Sequence, residues 1–471
     1  MAIASPTCLS RPGRLAASLT VMVLVGACAV KAPPDVETLK KDTALPVPLG
    51  FTTVGPTPGL VVGGWIAGFG DEQLTAAVAE GIARSPDLLA GAARVEQAML
   101  AAKQAGAKLW PSADLLARGG GKLSGDGSGL QGAVLSVNWE LDLWARVRAG
   151  RAAVAADASG IALDYEYARQ SLAGAVARLW FIATEAELQA NTARDTIREA
   201  EDLVRLAQVR LDVGIGSDED VSVARANAGT YRDALRQIEA ARTESLRALE
   251  LLIGRYPAAA IAVTSQFPGQ PPSVPVGLPS DLLERRPDVV AAERRVAAAF
   301  HRIQEAKAAR LPRIALTTGV SAISSDLFEL KDHDNPVWNV GANLMMPLFQ
   351  GGALKRQVEI RTVEQRQALF AYAGVGLRAF GEVENALSNE IAAREREAIL
   401  AQTLADNQRA FELVRTQFEV GKTDLRFVSQ RQLALNATRS SIIRMQAEQR
   451  VQRVNLHLAL GGAFGPPPPQ P

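Results

Sequence analysis

The chain has 471 residues, with 51 Lys plus Arg against 50 Asp plus Glu. Near-neutral charge gives no electrostatic footprint for nucleic acid. Aromatics make up only 5%, and the abundant Ala, Arg, Gln and Glu suit long helices packed closely through small side chains.

Residues 1–27 read as a bacterial signal peptide. Arg11 and Arg14 precede the uncharged run Leu15–Ala27, which is too short to span a bilayer comfortably. Val25-Gly26-Ala27-Cys28 has the small residues before cysteine of a lipobox, so Cys28 is the expected lipidated N-terminus. An ordinary cleaved signal with a chance cysteine is the competing reading. Cys8 leaves with the leader, so no intrachain disulfide is expected. Residues 28–64 are rich in Pro, Gly and Thr, lack periodicity, and read as an extended tether. Asp71 is the expected N-cap of a short helix behind Trp65 and Phe69.

A first structural repeat is expected over 65–254. Ser85-Pro86-Asp87 opens a helix that Trp110-Pro111 ends. Two strands follow. The first, about 113–123, carries Leu115 and Ala117 on one face and Asp114 and Arg118 on the other. The second, 130–140, alternates Ala133, Leu135, Val137 and Trp139 with Ser136 and Asn138. A proline-free helical stretch from Arg148 to Leu211 then implies a rod of roughly 90–100 Å. Val213-Gly214 breaks it, and a return helix is expected from about Asp218 to Ile253.

After a Pro-rich crossing over 255–285, the plan recurs over 286–461. Arg286-Pro287-Asp288 matches Ser85-Pro86-Asp87, and Pro312 matches Pro111. A third strand carries Ile314, Leu316, Thr318 and Val320 on its apolar face. In the fourth, Val337–Met346, the residues Trp338, Val340, Ala342, Leu344 and Met346 form an apolar face, opposite Asn339, Gly341 and Asn343. Period two over about ten residues is the signature of one tilted strand of a membrane barrel. A second long helix, about Gly352–Glu419, breaks at Val420-Gly421 and returns from about Asp424 to Leu460, before a Pro-rich tail at 462–471. Heptads repeat as well: Ile197, Val204 and Leu211 answer Leu404, Phe411 and Phe418.

The expected fold is therefore α+β with an internal duplication, in which each repeat supplies two strands and a long helical hairpin. Four strands cannot close a barrel, and an unclosed sheet leaves backbone groups facing lipid. Oligomerisation follows, although eight, twelve and sixteen strands all satisfy the argument.

These features resemble the outer-membrane efflux factors of TolC type, in the lipidated, NodT-like branch. The resemblance rests on Cys28, Trp65…Phe69-Gly70-Asp71…Leu74, Ser85-Pro86-Asp87-Leu88, Trp139-Glu140-Leu141-Asp142-Leu143-Trp144, Arg285-Arg286-Pro287-Asp288, Pro347-Leu348-Phe349-Gln350-Gly351-Gly352 and the two Val-Gly tips. It implies a homotrimer with a 12-stranded barrel in the outer membrane, continued by a periplasmic α-helical barrel. The implied partners are a periplasmic adaptor and an inner-membrane pump, commonly of the proton-driven resistance–nodulation–division class. Carried over, adaptor docking falls on Val213, Gly214, Val420 and Gly421. Acidic gating of the periplasmic mouth falls on Asp424, with Asp218 and Asp220 near the first tip. Phe427 and Gln430 stand where some relatives carry an acidic pair, and N-capping by Asp218 and Asp424 is the competing reading.

The implied function is the outer-membrane channel of a tripartite efflux pump for small molecules such as drugs, toxic compounds or metals. The channel of a type I protein secretion system is the alternative within the family, and a pore-free lipid-anchored coiled-coil scaffold is the rival outside it. No enzyme activity and no cofactor beyond a lipid on Cys28 are expected. His301, His333 and His457 lack metal-ligand spacing, and Gly421-Lys422-Thr423 lacks the upstream glycine of a phosphate loop.

Overall fold

The computed structural model describes residues 30–53, 63–118, 131–269, 274–275, 277–324 and 337–462. The leader with Cys28, the first hairpin loop, His333 and most of the Pro-rich tail lie outside the described residues. The chain divides into two compact units. One comprises the residues up to Ala44 together with Arg94–Ala162 and Ala291–Ala373; the other comprises Leu45–Ala93, Leu163–Val290 and the chain from Gly374 onward.

In order the helices are α1 (Val36–Thr43), α2 (Glu72–Arg84), α3 (Pro86–Ala107), α4 (Arg146–Asp212), α5 (Asp218–Leu252), α6 (Pro279–Arg285), α7 (Pro287–Ala308), α8 (Ala353–Glu419) and α9 (Leu425–Ala459). The strands are β1 (Ser112–Arg118), β2 (Gln131–Leu141), β3 (Arg313–Ser324) and β4 (Val337–Met345). The duplication extends to element length. α3 and α7 have 22 residues each, α4 and α8 have 67, and α5 and α9 have 35.

In the first unit the strands form one antiparallel sheet in the order β1-β2-β3-β4. Residues directly opposite in an antiparallel pair share a face. Leu115 pairs with Leu135, Leu135 with Val320, and Val320 with Trp338. The apolar sets expected strand by strand therefore form one continuous surface. Asp142 starts α4, its carboxylate accepting the Val147 and Arg148 backbone N–H groups at 2.9 Å each.

The second unit is helical. Asp71 accepts the Leu74 N–H at 2.9 Å, the expected cap, and also the Trp180 Nε1–H at 2.9 Å. Around it Trp65, Phe69, Leu74, Trp180, Phe181 and Ile253 form a buried core. Further along the hairpins, Leu203, Ala207, Val221, Phe411, Phe418 and Leu435 pack together, uniting heptad positions of both repeats. Glu250 anchors the crossing segment. Burial works against its charge, but the Ala259, Ala260 and Ile261 N–H groups hold it below the usual carboxylate range.

The extended-tether reading needs correction. Residues Val36–Thr43 form a helix, because Asp35 caps the Thr38 N–H at 3.0 Å and the αL conformation of Ala44 closes the end. Leu39 and Phe51 are buried. Thr52 and Thr53 donate to the Glu384 carboxylate, at 2.7 Å from the Thr52 backbone and 2.6 Å from the Thr53 hydroxyl. Among the described residues no helix is long and apolar enough to cross a membrane.

Candidate channel wall and hairpin tips

Every β4 residue is exposed in the single chain, Val340 at 89%. Its apolar residues continue across β3 and β2 through Leu316, Trp139 and Leu135, and these side chains are exposed, so among the described residues no element covers this face. The opposite face carries Asp114, Ser136, Asn138, Thr317, Asn339 and Asn343. An apolar face with no protein cover and a polar face behind it match a wall between lipid and water. Among the described residues β1 and β4 each keep one unpaired edge. Beside the strand ends lie exposed Trp110, Leu348 and Phe349, the last at 89%, and tryptophan is a residue that favours a membrane interface. Trp144, in the turn before α4, donates its indole N–H to Pro312 O at 2.7 Å and ties the first repeat to the second.

The two tips share a backbone solution. Gly214 and Gly421 have φ of 77° and 78°, where any side chain is strained. Val213 and Val420 are each 64% exposed. Arg210, unremarked in the sequence, joins the hairpins: it donates to Phe418 O at 2.7 Å and lies 4.6 Å over the Phe418 ring. The corresponding residue of the second repeat is Gln417, so the departure from the repeat was the available signal.

The acidic candidates differ among themselves. Asp424 is exposed at the N-cap position of α9, and its side chain makes no cap hydrogen bond. Asp218 and Asp220 stand in the first turn of α5, where Ser217 is the cap and accepts the Asp220 N–H at 3.1 Å. The capping alternative is thus corrected for Asp218, since Ser217 occupies the position that α5 needs, while Asp424 takes the N-cap position without a side-chain cap bond.

Arg286 sits at the junction between α9 and α7. It donates to Asp288 at 3.0 and 2.8 Å, to Glu382 at 2.6 Å and to Ala459 O at 3.2 Å. Burial opposes its charge, but the two carboxylates more than offset this and raise its pKa above the ordinary arginine value. A cavity of about 380 Å³ adjoins it, lined by Tyr167, Arg178, Asn385, Asn389 and Asn455 among others. His457 stacks on Trp65 at 5.4 Å, and burial, helped by Arg453, pushes its imidazole down to about 4. Among the described residues no group of three or more His, Cys, Asp and Glu could hold a metal ion.

A family model described as outer membrane efflux protein matches residues 78–255 and again 278–462, once per repeat. The chain belongs to the outer membrane efflux protein family. OpmQ, a pyoverdine export outer membrane protein of Pseudomonas aeruginosa, is 29% identical over 466 residues, covering 95% of this chain and 96% of OpmQ. The cation efflux system protein CusC of Escherichia coli is 26% identical over 431 residues, covering 89% and 94%. A crystal structure of CusC superposes with a TM-score of 0.82 at 24% identity, over 93% of this chain and 99% of that one. The MtrE outer membrane channel of Neisseria gonorrhoeae gives 0.80 at 22% identity, over 93% and 98%. The fold is that of these channels, and outer membrane efflux proteins form channels and are not enzymes. The protein secretion alternative gains no support from these relatives.

Proposed function

We propose that this efflux protein works as a homotrimer whose twelve strands close a barrel in the outer membrane, continued by helical hairpins in the periplasm. A periplasmic adaptor and an inner-membrane pump complete the system, and the cargo is a small molecule. The observation that carries this reading is the four-stranded sheet, apolar on one face and polar on the other, with two free edges. In lipid each unsatisfied edge group costs several kcal/mol, which only closure removes.

Facing tests the wall. Ala342→Arg puts a charge against hydrocarbon at about 2–4 kcal/mol per chain near the midplane, so trimer yield should collapse. Asn343→Arg, on the polar face, should assemble and change conductance. Equal assembly defects would defeat the two-faced wall.

Two finer parts of the reading have their own tests. The Val213-Gly214 and Val420-Gly421 tips serve as adaptor docking sites, supported by their exposure and matching geometry. Gly421→Trp should abolish efflux while leaving trimers intact on native gels; retained efflux would remove the tip from docking. Cys28 carries a lipid, supported by the small residues before it. Cys28→Ser should lose labelling by a fatty-acid probe, and persistent labelling would defeat the assignment. The barrel should still insert, since strands hold the membrane more firmly than one acylated terminus.

A further inference from the structure

The cavity beside Arg286 holds a second arginine with no acid of its own. Its walls come from α4, α8 and α9, all within the second unit. Gln170 and Arg178 line it from α4. Asn385 and Asn389 line it from α8, spaced i and i+4, and Gln452 and Asn455 from α9, spaced i and i+3. Its volume of about 380 Å³ falls within the range of small-ligand pockets, roughly 300–1,000 Å³. The lining is rich in amides, so it suits a hydrophilic ligand.

The two ends of the cavity differ in charge. At one end Arg286 is bound by Asp288 and Glu382, and all three charges act on Tyr167. Arg178 lies further along α4, about 16 Å from Tyr167 at 1.5 Å per residue. Among the described residues no carboxylate pairs with it, and its one hydrogen bond runs from Nη1 to Asn455 Oδ1 at 3.3 Å. Burial pushes its pKa below the ordinary arginine value, and no acid offsets this. Most of the guanidinium fork is therefore unused. Gln170 is a second unanswered group: it is 6% exposed, yet its side-chain amide has no hydrogen-bond partner among the described residues. Water can satisfy the amides, but only an anion answers the guanidinium.

We propose that this cavity binds a small molecule with one carboxylate and several neutral polar groups. The carboxylate sits on the Arg178 fork, whose planar donors match two carboxylate oxygens. Hydroxyl or amide groups of the ligand meet Gln170, Asn385 and Asn389, which both donate and accept. The charge count selects a monoanion. One guanidinium is uncompensated, while Asp288 and Glu382 at the far end outnumber Arg286 and repel a second negative group. A doubly charged phosphate fits this distribution less well than a carboxylate. The site goes beyond the channel reading, since conduction needs no binding site and all of these residues belong to one chain.

The test is calorimetric titration of the full chain, purified in mild detergent, with gluconate and with its uncharged analogue sorbitol. Gluconate should bind once per chain, and sorbitol at least tenfold more weakly. Arg178→Gln should bring gluconate down to the level of sorbitol. Asn389→Trp, at an exposed position on the rim, should fill the cavity and abolish binding of gluconate. Absence of gluconate binding to the wild-type chain, as when a neighbouring copy supplies the carboxylate, would overturn the site. So would unchanged affinity in either variant. Tighter binding of inorganic phosphate than of gluconate would overturn the monocarboxylate assignment. Native gels read the trimer separately: trimers that bind no gluconate lose the site and keep the channel reading, and a monomer that binds gluconate does the reverse.

Discussion

Gly214 and Gly421 turn the two hairpins with the same backbone, φ 77° and 78°, and a 35-residue helix follows each turn. Their side chains diverge immediately. After the first turn Ser217 caps α5, and Asp218, Glu219 and Asp220 fill its first turn. After the second, Asp424 takes the cap position without a cap bond, followed by buried Leu425 and by exposed Arg426 and Phe427. Negative charge at a helix N-terminus is favourable; the first repeat places three acids in the first turn of its return helix, whereas the second has only Asp424, at the cap position. The junctions differ too: Ser85 opens α3, whereas Arg286 opens α7 with two carboxylates and a helix-terminal carbonyl around it. The duplication thus keeps what turns the chain, and it varies the side chains around each turn and junction.

The largest expected effect comes from making the junctions alike. Arg286→Ser installs the first repeat's residue and strips Asp288 and Glu382 of their cation. Breaking a buried pair costs about 3–5 kcal/mol, and half-exposed Glu382 recovers part of that from solvent. A loss of about 2–3 kcal/mol per chain is expected, read as a lowered denaturation midpoint in detergent. An unchanged midpoint would show that the guanidinium is dispensable.

Local signals carried most of the fold. The alternation in Val337–Met345 gave the facing of β4 because a half-exposed strand has period two. Helix ends fell within a residue or two of expectation where Gly and Pro punctuate the chain, as at Gly214, Pro287 and Gly421. The parts that escaped depend on distant partners. Asp71 was legible as a cap, but not as the acceptor for Trp180, 109 positions away. α1 was illegible because its eight residues are held by one cap and by burial of Leu39, inside a composition that reads as linker. For the candidate site the motifs gave the tips and the wall. The links made by Arg210 and Arg286 showed only as departures from the repeat.

The cap comparison predicts a smaller difference. Ser217→Ala removes a formed cap bond and should cost about 1 kcal/mol of stability. Hydrogen exchange should be faster in the first turn of α5 and unaltered at Leu425. If Asp424→Ala costs as much, the two tips are equivalent after all, and the missing cap bond carries no meaning.

Asp424 gives the smallest effect on stability and decides its own role. Its carboxylate is exposed and spends nothing on capping, so it is free to face a neighbour. In a closed trimer three copies of this residue lie around one axis, and like charges brought together repel unless a cation or an arginine sits between them. Arg426 does not supply that partner inside the chain, since its guanidinium lies 5.9 Å over the Phe427 ring. A closed mouth held at Asp424 therefore draws its countercharge from a neighbouring chain or from solution. Asp424→Ala should then raise single-channel conductance in planar bilayers and admit large antibiotics to cells, with the melting midpoint almost unmoved. Conductance should also respond to divalent cations in the wild-type channel and lose that response in the variant. Unchanged conductance would leave Asp424 as a solvated residue at a tip and would move the gate elsewhere, with Asp218 and Asp220 the next positions to substitute.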